Sequence, residues 1–359
     1  MTKDNAVSRN FGIDLLRIVS MLMVVTLHTL GRGGILADSQ YMSANYYLGW
    51  IMEIGAYCAV NCYALVSGYV GYSSKHKCSG IIYITFQVIF YIIAITAASW
   101  FVFPNVGKAD IIASITHIRS GGYWYYKAYL GAFFFFPILN MAVEKLDKDI
   151  AKKFIFAILV LYSIVPMIVR SDLFELAGGY SPLWIMVMYF IGAYIRKYDL
   201  FVNTKKLKSF GIYAISVAIT FISFITIGIV TKKFIGKSVL ENVLISYTSP
   251  TIILCAVALL ALFAKIQISD SLKKPIKFLT PLTFGVYLIH MQYFIRNWLT
   301  DRFTSVADLN PVLFVLATIG IILAIYLACT IIEFVRELIF KLLRIRKLSE
   351  KIAKLLRLS

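Results

Sequence analysis

The feature that most constrains this chain is a series of long apolar segments that recurs along the whole sequence. Several of these segments reach the roughly 20 residues that a helix needs to cross the hydrocarbon layer of a membrane. Only 15% of the residues are charged, whereas soluble domains carry about 25%. The sequence therefore predicts an all-α polytopic membrane protein.

We predict about ten transmembrane helices, which together form a membrane domain over residues 1–333. They cover residues 11–31, 47–73, 81–103, 123–143, 154–170, 183–199, 209–230, 244–264, 279–297 and 311–333. The start of the last helix is well marked, because Asn310 can cap it and Pro311 suits its first turn. Every hydrophilic stretch is too short to form a second, soluble domain.

Basic residues are unevenly distributed between the two sides of the predicted membrane. One side, which includes both chain ends, holds 25 Lys and Arg, whereas the other side holds nine. An excess of basic residues marks the cytoplasmic side, so both termini are predicted to be cytoplasmic. Because these cations lie in short loops between apolar segments, the net charge of +18 does not indicate a nucleic-acid partner.

Residues 334–359 form a basic tail in which Leu and Ile alternate with Lys and Arg at helical spacing. This pattern is typical of an amphipathic helix that lies in the membrane interface on anionic lipid. A specific protein partner is the alternative interpretation.

Three ionisable residues interrupt the first apolar segment, "IDLLRIVSMLMVVTLHTL", although each costs roughly 2.5 kcal/mol or more at mid-bilayer. At about 100° per residue, Arg17 lies about 60° from Asp14, and His28 lies about 20° from Arg17. All three therefore share one stripe, which should face protein or water. At 1.5 Å per residue, His28 is about 21 Å along the helix from Asp14, which is near the cytoplasmic end.

Each of these residues has a structural and a functional interpretation. Asp14 and Arg17 either form a local ion pair that reaches the cytoplasmic interface, or place a cation where it grips a phosphate group. His28 is either a hydrogen-bond partner between helices or a general base.

Other candidates occur in the second, fourth and ninth segments. Ser67 and Gly68 can let another backbone approach closely, which is also ordinary packing of membrane helices. Trp124 belongs to an aromatic cluster that resembles a membrane-interface belt. Tyr287 lies one turn from His290, which is placed at depth in the ninth segment. Glu53 and Lys127 are further ionisable residues within predicted helices.

No metal site and no permanently bound cofactor are expected. The four histidines are dispersed, and His76 and His117 fall in loops, where we expect them to be solvated. The five cysteines lie in or beside apolar segments at no metal or disulfide spacing, and are Cys58, Cys62, Cys78, Cys255 and Cys329.

Taken in order, four segments resemble the integral-membrane acyltransferase-3 family, whose members O-acetylate surface polysaccharides and related glycans. These segments are "IDLLRIVSMLMVVTLHTL", "AVNCYALVSGYVGY", "GGYWYYKAYLGAFFFFPILN" and "TFGVYLIHM". The resemblance covers essentially the whole chain.

The resemblance implies functional roles for Asp14, Arg17 and His28, and an acetyl-CoA donor that enters from the cytoplasm and meets the acceptor across the membrane. It also implies involvement of the Ser67-Gly68 turn, Trp124 and His290. The family often has two arginines in the loop after the second span.

Here that loop reads "SSKHKCSG", with Lys75 and Lys77 as its only cations. A lysine ammonium attracts phosphate as a point charge, whereas an arginine guanidinium can donate two parallel hydrogen bonds to it.

The resulting hypothesis is an O-acetyltransferase of a bacterial cytoplasmic (inner) membrane, acting on a cell-surface or lipid-linked glycan. Arg17, Lys75 and Lys77 would attract the CoA phosphates, with Asp14 orienting Arg17. His28 would deprotonate the acceptor hydroxyl. The alternatives are a proton-coupled secondary transporter that uses the intramembrane stripe, and a non-catalytic scaffold or sensor.

Overall fold

Every regular element that the structure describes is helical, which confirms the all-α prediction. The computed structural model describes residues 9–72, 74, 76–103, 105–119 and 121–357. In chain order its α-helices are α1 (Phe11–Leu27), α2 (Ile35–Asp38), α3 (Ala44–Ala56), α4 (Ala59–Gly71), α5 (Cys78–Val102), α6 (Lys108–Ile115), α7 (Trp124–Phe133), α8 (Phe136–Lys145), α9 (Lys148–Leu159), α10 (Val165–Val169), α11 (Pro182–Lys197), α12 (Lys206–Ile235), α13 (Pro250–Ala264), α14 (Asp270–Leu279), α15 (Thr283–His290), α16 (Tyr293–Leu299), α17 (Pro311–Leu342) and α18 (Ile345–Leu355). Two π-turns follow α1 and α9, and they cover His28–Arg32 and Val160–Ile164.

Polar residues and prolines at the helix starts explain several of these boundaries. Asn10 accepts hydrogen bonds from the amides of Gly12 and Ile13, so it caps α1. Asn310 accepts one from the amide of Leu313 at 3.0 Å, and Pro311 is the first residue of α17. The predicted start of the last span is therefore confirmed.

Six to eight helical segments of the described chain are long and apolar enough to cross a membrane. Six qualify singly, and two broken pairs qualify if each pair is one span. The two other predicted spans, 183–199 and 244–264, correspond to α11 with 16 residues and α13 with 15 residues. At 1.5 Å per residue these helices are roughly 23 Å long, shorter than a hydrocarbon core of about 30 Å. The count of ten is not confirmed, and the cytoplasmic position of the termini stays a prediction.

The described residues divide into two compact units, each assembled from segments distant in sequence. The first unit draws on Met1–Ser20, Cys58–His76 and Phe135–Pro281, and the second on Met21–Tyr57, Lys77–Phe134 and Leu282–Ser359. The core of the first unit packs α11 against α4 and α8, and α13 against α4 and α12.

The second unit is organised around α17, which packs against α3 and α15. This helix continues beyond residue 333 to Leu342, and Arg336 is buried within it rather than exposed in a tail. Arg336 forms ion pairs with Glu333 and Glu337, and Glu333 also accepts hydrogen bonds from Gln87 and Tyr91 of α5. The predicted amphipathic helix is α18, which packs on α5, while its role at the lipid surface stays a prediction.

Candidate functional site

A three-residue ion cluster lies at the start of α1, in the first unit. The Asp14 carboxylate is buried and accepts hydrogen bonds from Arg9 Nε at 2.5 Å and Arg17 Nη1 at 3.0 Å. The ion pair between Asp14 and Arg17 follows the i,i+3 spacing seen in the sequence, whereas the contribution of Arg9 was not predicted. Two guanidinium groups share one carboxylate, so the cluster keeps a net positive charge.

This cluster forms part of the wall of a large cavity in the first unit, which we call the basic cleft. Its volume is about 1950 Å³, above the roughly 300–1000 Å³ of ordinary small-molecule pockets. The cations that line it are Arg9, Arg17, Arg196, Lys206, Lys265, Lys273 and Lys277, against the two carboxylates of Asp14 and Asp270. Such an excess of positive charge favours a large polyanionic ligand.

The cations of the basic cleft do not all have the same freedom to meet a ligand. Lys265 donates to the carbonyl groups of Val202 and Thr204, and Lys273 pairs with Asp270 at 2.7 Å. Lys265 thereby links the end of α13 to the loop before α12, whereas the pair of Lys273 with Asp270 lies within the first turn of α14. Only one nitrogen of Arg17, Nη1, donates to Asp14, and the side chain is 29% exposed. Its guanidinium therefore still presents other donors.

Lys77, one of the two lysines predicted to bind the donor, is not among the described residues that line the basic cleft. Lys77 is exposed and precedes α5 in the second unit. Lys75 lies outside the described residues. Within the first unit, the positive charge comes instead from segments 196–206 and 265–277, which the sequence marks only as rich in basic residues.

Ser67 and Gly68 serve packing contacts of α4. The Ser67 hydroxyl donates to the carbonyl of Tyr63, in the preceding turn of the same helix, at 2.8 Å. A Cβ atom on Gly68 would lie 1.9 Å from the carbonyl oxygen of Tyr189 in α11. The close approach of two backbones that was expected here is thus observed, and it positions the neighbouring Tyr69 in the wall of the basic cleft.

The second unit brings together the two histidines that the sequence placed within the membrane. His28 Nδ1 and His290 Nε2 are 2.8 Å apart, and His290 Nδ1 is 2.6 Å from the carbonyl oxygen of Val286. His28 begins the π-turn that follows α1, and His290 is the last residue of α15. We call these two residues the histidine pair.

The hydrogen bonds of the histidine pair define the tautomer of each neutral ring. The carbonyl of Val286 can only accept, so His290 Nδ1 carries the proton and His290 Nε2 is an acceptor. His28 Nδ1 must then carry a proton and donate to His290 Nε2. The second nitrogen of His28, Nε2, is left with a free lone pair, which is what a general base requires.

The space next to the histidine pair is small. The cavity measures about 10 Å³ and includes Val25, Arg32, Met291 and Phe303 in its lining. This is about the volume that one water molecule needs, so a hydroxyl group fits and a sugar ring does not.

Two arginines of the second unit were not singled out from the sequence. The Nε atoms of Arg32 and Arg296 are shielded from solvent and have no hydrogen-bond partner among the described residues. Arg32 also lines the cavity beside the histidine pair. An anionic group entering this cavity would therefore meet an unsatisfied donor.

Aromatic residues at the start of α7 pack against α15. Tyr123 donates to the carbonyl of Leu288 at 2.7 Å, and the amide of Tyr125 donates to the Tyr287 hydroxyl oxygen at 3.3 Å. The rings of Tyr287 and His290 are 6.3 Å apart. Trp124 begins α7 and packs edge-on against Tyr125, so it belongs to this aromatic group.

His117 was predicted to be solvated, and this prediction is wrong. The side chain is only 2% exposed, and its Nε2 lies 2.9 Å from the carbonyl oxygen of Met291. The loop after α6 packs against the break between α15 and α16. The sequence gives no sign of this contact, because His117 lies outside the apolar segments. Burial lowers the pKa of His117, while the hydrogen bond to Met291 opposes that shift.

Comparison with known proteins identifies one family over nearly the entire chain. The family model described as an acyltransferase domain, that of the acyltransferase-3 family, matches residues 10–332. Comparisons with curated proteins and with solved structures gave no match.

Proposed function

Because the chain belongs to the acyltransferase-3 family, and is therefore a multi-pass membrane acyltransferase, we propose that it transfers an acetyl group from acetyl-CoA to a glycan hydroxyl. The acceptor would be a cell-surface or lipid-linked glycan, and the membrane a bacterial cytoplasmic membrane. The observation that carries this proposal is the hydrogen-bonded series from Val286 through His290 to His28, which leaves His28 Nε2 free to accept a proton.

The basic cleft supports an acyl donor that carries several phosphate groups. CoA bears a diphosphate and a further phosphate on its ribose. The planar guanidinium of Arg17 has the geometry to donate two hydrogen bonds to phosphate oxygens. Lys206 and Lys277 add point charges from two other helices. The uneven distribution of basic residues predicts that these segments lie on the cytoplasmic side, where acetyl-CoA is available.

In the proposed reaction, His28 Nε2 takes the proton of the acceptor hydroxyl as its oxygen attacks the thioester carbonyl carbon. The C–S bond then breaks, and the departing sulfur takes up the proton from His28 to give free CoA and the acetyl ester. One such positioned base contributes on the order of 10²–10⁴-fold to the rate. Since the cavity beside His28 admits a hydroxyl but not a ring, its lining side chains must move for a sugar to enter.

The experiment is to measure CoA release by the purified protein, supplied with acetyl-CoA and a de-acetylated cell-envelope polysaccharide. We expect His28→Ala to lower kcat by about 10²–10⁴-fold without loss of correctly folded protein. His76→Ala, at an exposed loop histidine, is the matched control and should retain the wild-type rate. Wild-type turnover by His28→Ala, or proton-coupled transport without CoA release, would overturn the proposal.

A further inference from the structure

A second cavity of the first unit, separate from the basic cleft, has seven hydroxyl-bearing residues in a lining that also includes apolar side chains. It has a volume of about 440 Å³, within the range of pockets that hold small molecules. Its lining includes the polar residues Ser163, Arg170, Ser171, Asp172, Ser238, Glu241, Asn242, Ser246, Thr248 and Ser249, together with Tyr162. We call it the hydroxyl pocket.

Ser163 is the residue that most clearly points to a ligand. It belongs to the π-turn Val160–Ile164 on a span whose other residues are largely exposed, yet it is itself only 2% exposed. Its Oγ atom has no hydrogen-bond partner among the described residues. Leaving a buried hydroxyl unpaired costs about 1–3 kcal/mol, and π-turns often occur at functional sites.

The acidic residues of the hydroxyl pocket are already occupied by the protein. Asp172 accepts hydrogen bonds from the amides of Leu176 and Ala177 at 2.8 and 2.7 Å. Glu241 accepts one from Ser238. A ligand in this pocket therefore meets carboxylates that are already partly satisfied, together with hydroxyl groups, an amide and the Arg170 guanidinium.

We propose that the hydroxyl pocket binds a sugar ring through Ser163 and the surrounding hydroxyl groups. Hydroxyl groups match a polyhydroxylated ligand, because an oxygen that already donates, such as Ser246 to the Gly178 carbonyl, can still accept. Tyr162, whose ring also contacts Phe174, adds an aromatic side chain to the lining. Naming a glycan as the ligand rests on the proposed function. The distribution of basic residues predicts that the loops at 171–182 and 231–243, which contribute to this pocket, lie on the extracytoplasmic side, where a surface glycan is found.

The test is isothermal titration calorimetry of the full-length purified protein with maltotriose and with chitotriose, in the absence of acetyl-CoA. At least one of these oligosaccharides should bind to the wild type. Ser163→Ala should weaken that binding about 3- to 10-fold, the effect of losing one hydrogen bond to a neutral group. It should also leave the thermal midpoint unchanged or raised, because the unpaired hydroxyl is removed.

Ser209→Ala is the matched control, because Ser209 is buried in α12, is not a lining residue of the pocket and donates to the carbonyl of Lys205. This variant should keep the wild-type affinity. If neither oligosaccharide binds at 50 mM, about fifty times a typical upper KM of roughly 1 mM, the proposal is overturned. An unchanged affinity in Ser163→Ala also overturns it.

The two proposals can fail separately. Sugar binding that persists in His28→Ala, together with CoA release that is lost, supports both. CoA release by a wild type that binds neither oligosaccharide leaves the acetyltransferase proposal in place and removes the hydroxyl pocket as a sugar site.

Discussion

The basic cleft and the histidine pair differ in how many residues share their task. The cleft encloses about 1950 Å³ and is lined by seven cations from several helices, whereas the cavity beside the histidine pair measures about 10 Å³. Attraction between charges acts over several ångströms and is distributed over many side chains. Proton transfer depends instead on one lone pair in one position. We therefore expect the cleft to tolerate single substitutions and the histidine pair not to tolerate them.

After the loss of His28 itself, the largest expected effect comes from removing its partner, His290. In His290→Ala, no acceptor fixes the proton on His28 Nδ1, so both tautomers are populated. We expect kcat to fall about 10- to 100-fold, as is typical when an orienting partner is lost, while the KM for acetyl-CoA stays the same. The measurement is CoA release as a function of pH.

His290→Gln is the conservative variant, because its side-chain carbonyl can still accept a hydrogen bond from His28. It should recover part of the rate and most of the wild-type pH profile. A pH–rate profile of His290→Ala that matches the wild type would indicate that His290 only packs and does not position His28.

The next effect concerns the packing that holds one wall of the basic cleft. In Gly68→Ala, the added Cβ atom would lie 1.9 Å from the carbonyl oxygen of Tyr189, so α4 and α11 must separate. We expect a loss of about 1–3 kcal/mol in the free energy of unfolding, measured by thermal or denaturant unfolding in detergent.

Gly211→Ala is the matched control within α12, since a Cβ atom there meets nothing within 4 Å. It should be neutral or stabilise the protein by up to about 1 kcal/mol, the difference in helix propensity between the two residues. Equal stability of the two variants would contradict the close contact between α4 and α11.

A smaller effect is expected from single cations of the basic cleft. Lys206→Gln and Lys277→Gln should each raise the KM for acetyl-CoA by up to about 5-fold, because exposed charge pairs contribute roughly 0.2–1 kcal/mol. The two effects should multiply, shrink at high salt and leave kcat unchanged. Lys152→Gln, at an exposed position outside the cleft lining, is the control. A fall in kcat without a change in KM would place these lysines outside donor binding.

Local features of the fold could be predicted from the sequence, because apolar length and capping residues act over a few positions. The start of α17 at Pro311 and the ion pair of Asp14 with Arg17 are of this kind. The contact between His28 and His290 joins residues 262 positions apart, so only the fold brings them together. The sequence marked each histidine as unusual within an apolar segment, but it did not indicate that the two residues are in contact.

The composition of the basic cleft shows the same limit. Its lysines come from segments that were recognised only as basic loops, and their convergence depends on how α12, α13 and α14 pack.

The lengths of two short helices are a second feature that the sequence did not predict. Both α11 and α13 are apolar enough to resemble spans, but their termini lie closer together than a hydrocarbon core is thick.

The smallest expected effect is a pH dependence of stability that belongs to the second unit alone. Burial lowers the pKa of His117, and the charges of Arg296, Arg32 and Lys127 lower it further against the opposing hydrogen bond to Met291. Near pH 6.5, His117 therefore binds a proton more readily in the unfolded chain than in the folded chain. Stability must then fall as the pH drops below about 6.5.

His117→Gln keeps a donor for the Met291 carbonyl but cannot titrate. The thermal midpoint of the wild type should decrease more than that of this variant between pH 7.5 and pH 5, a range that spans the ordinary histidine pKa. The donor KM should be the same in both proteins at each pH, since His117 is not a lining residue of the basic cleft. Parallel loss of stability in the two proteins would show that the buried His117 takes up its proton as readily when folded as when unfolded.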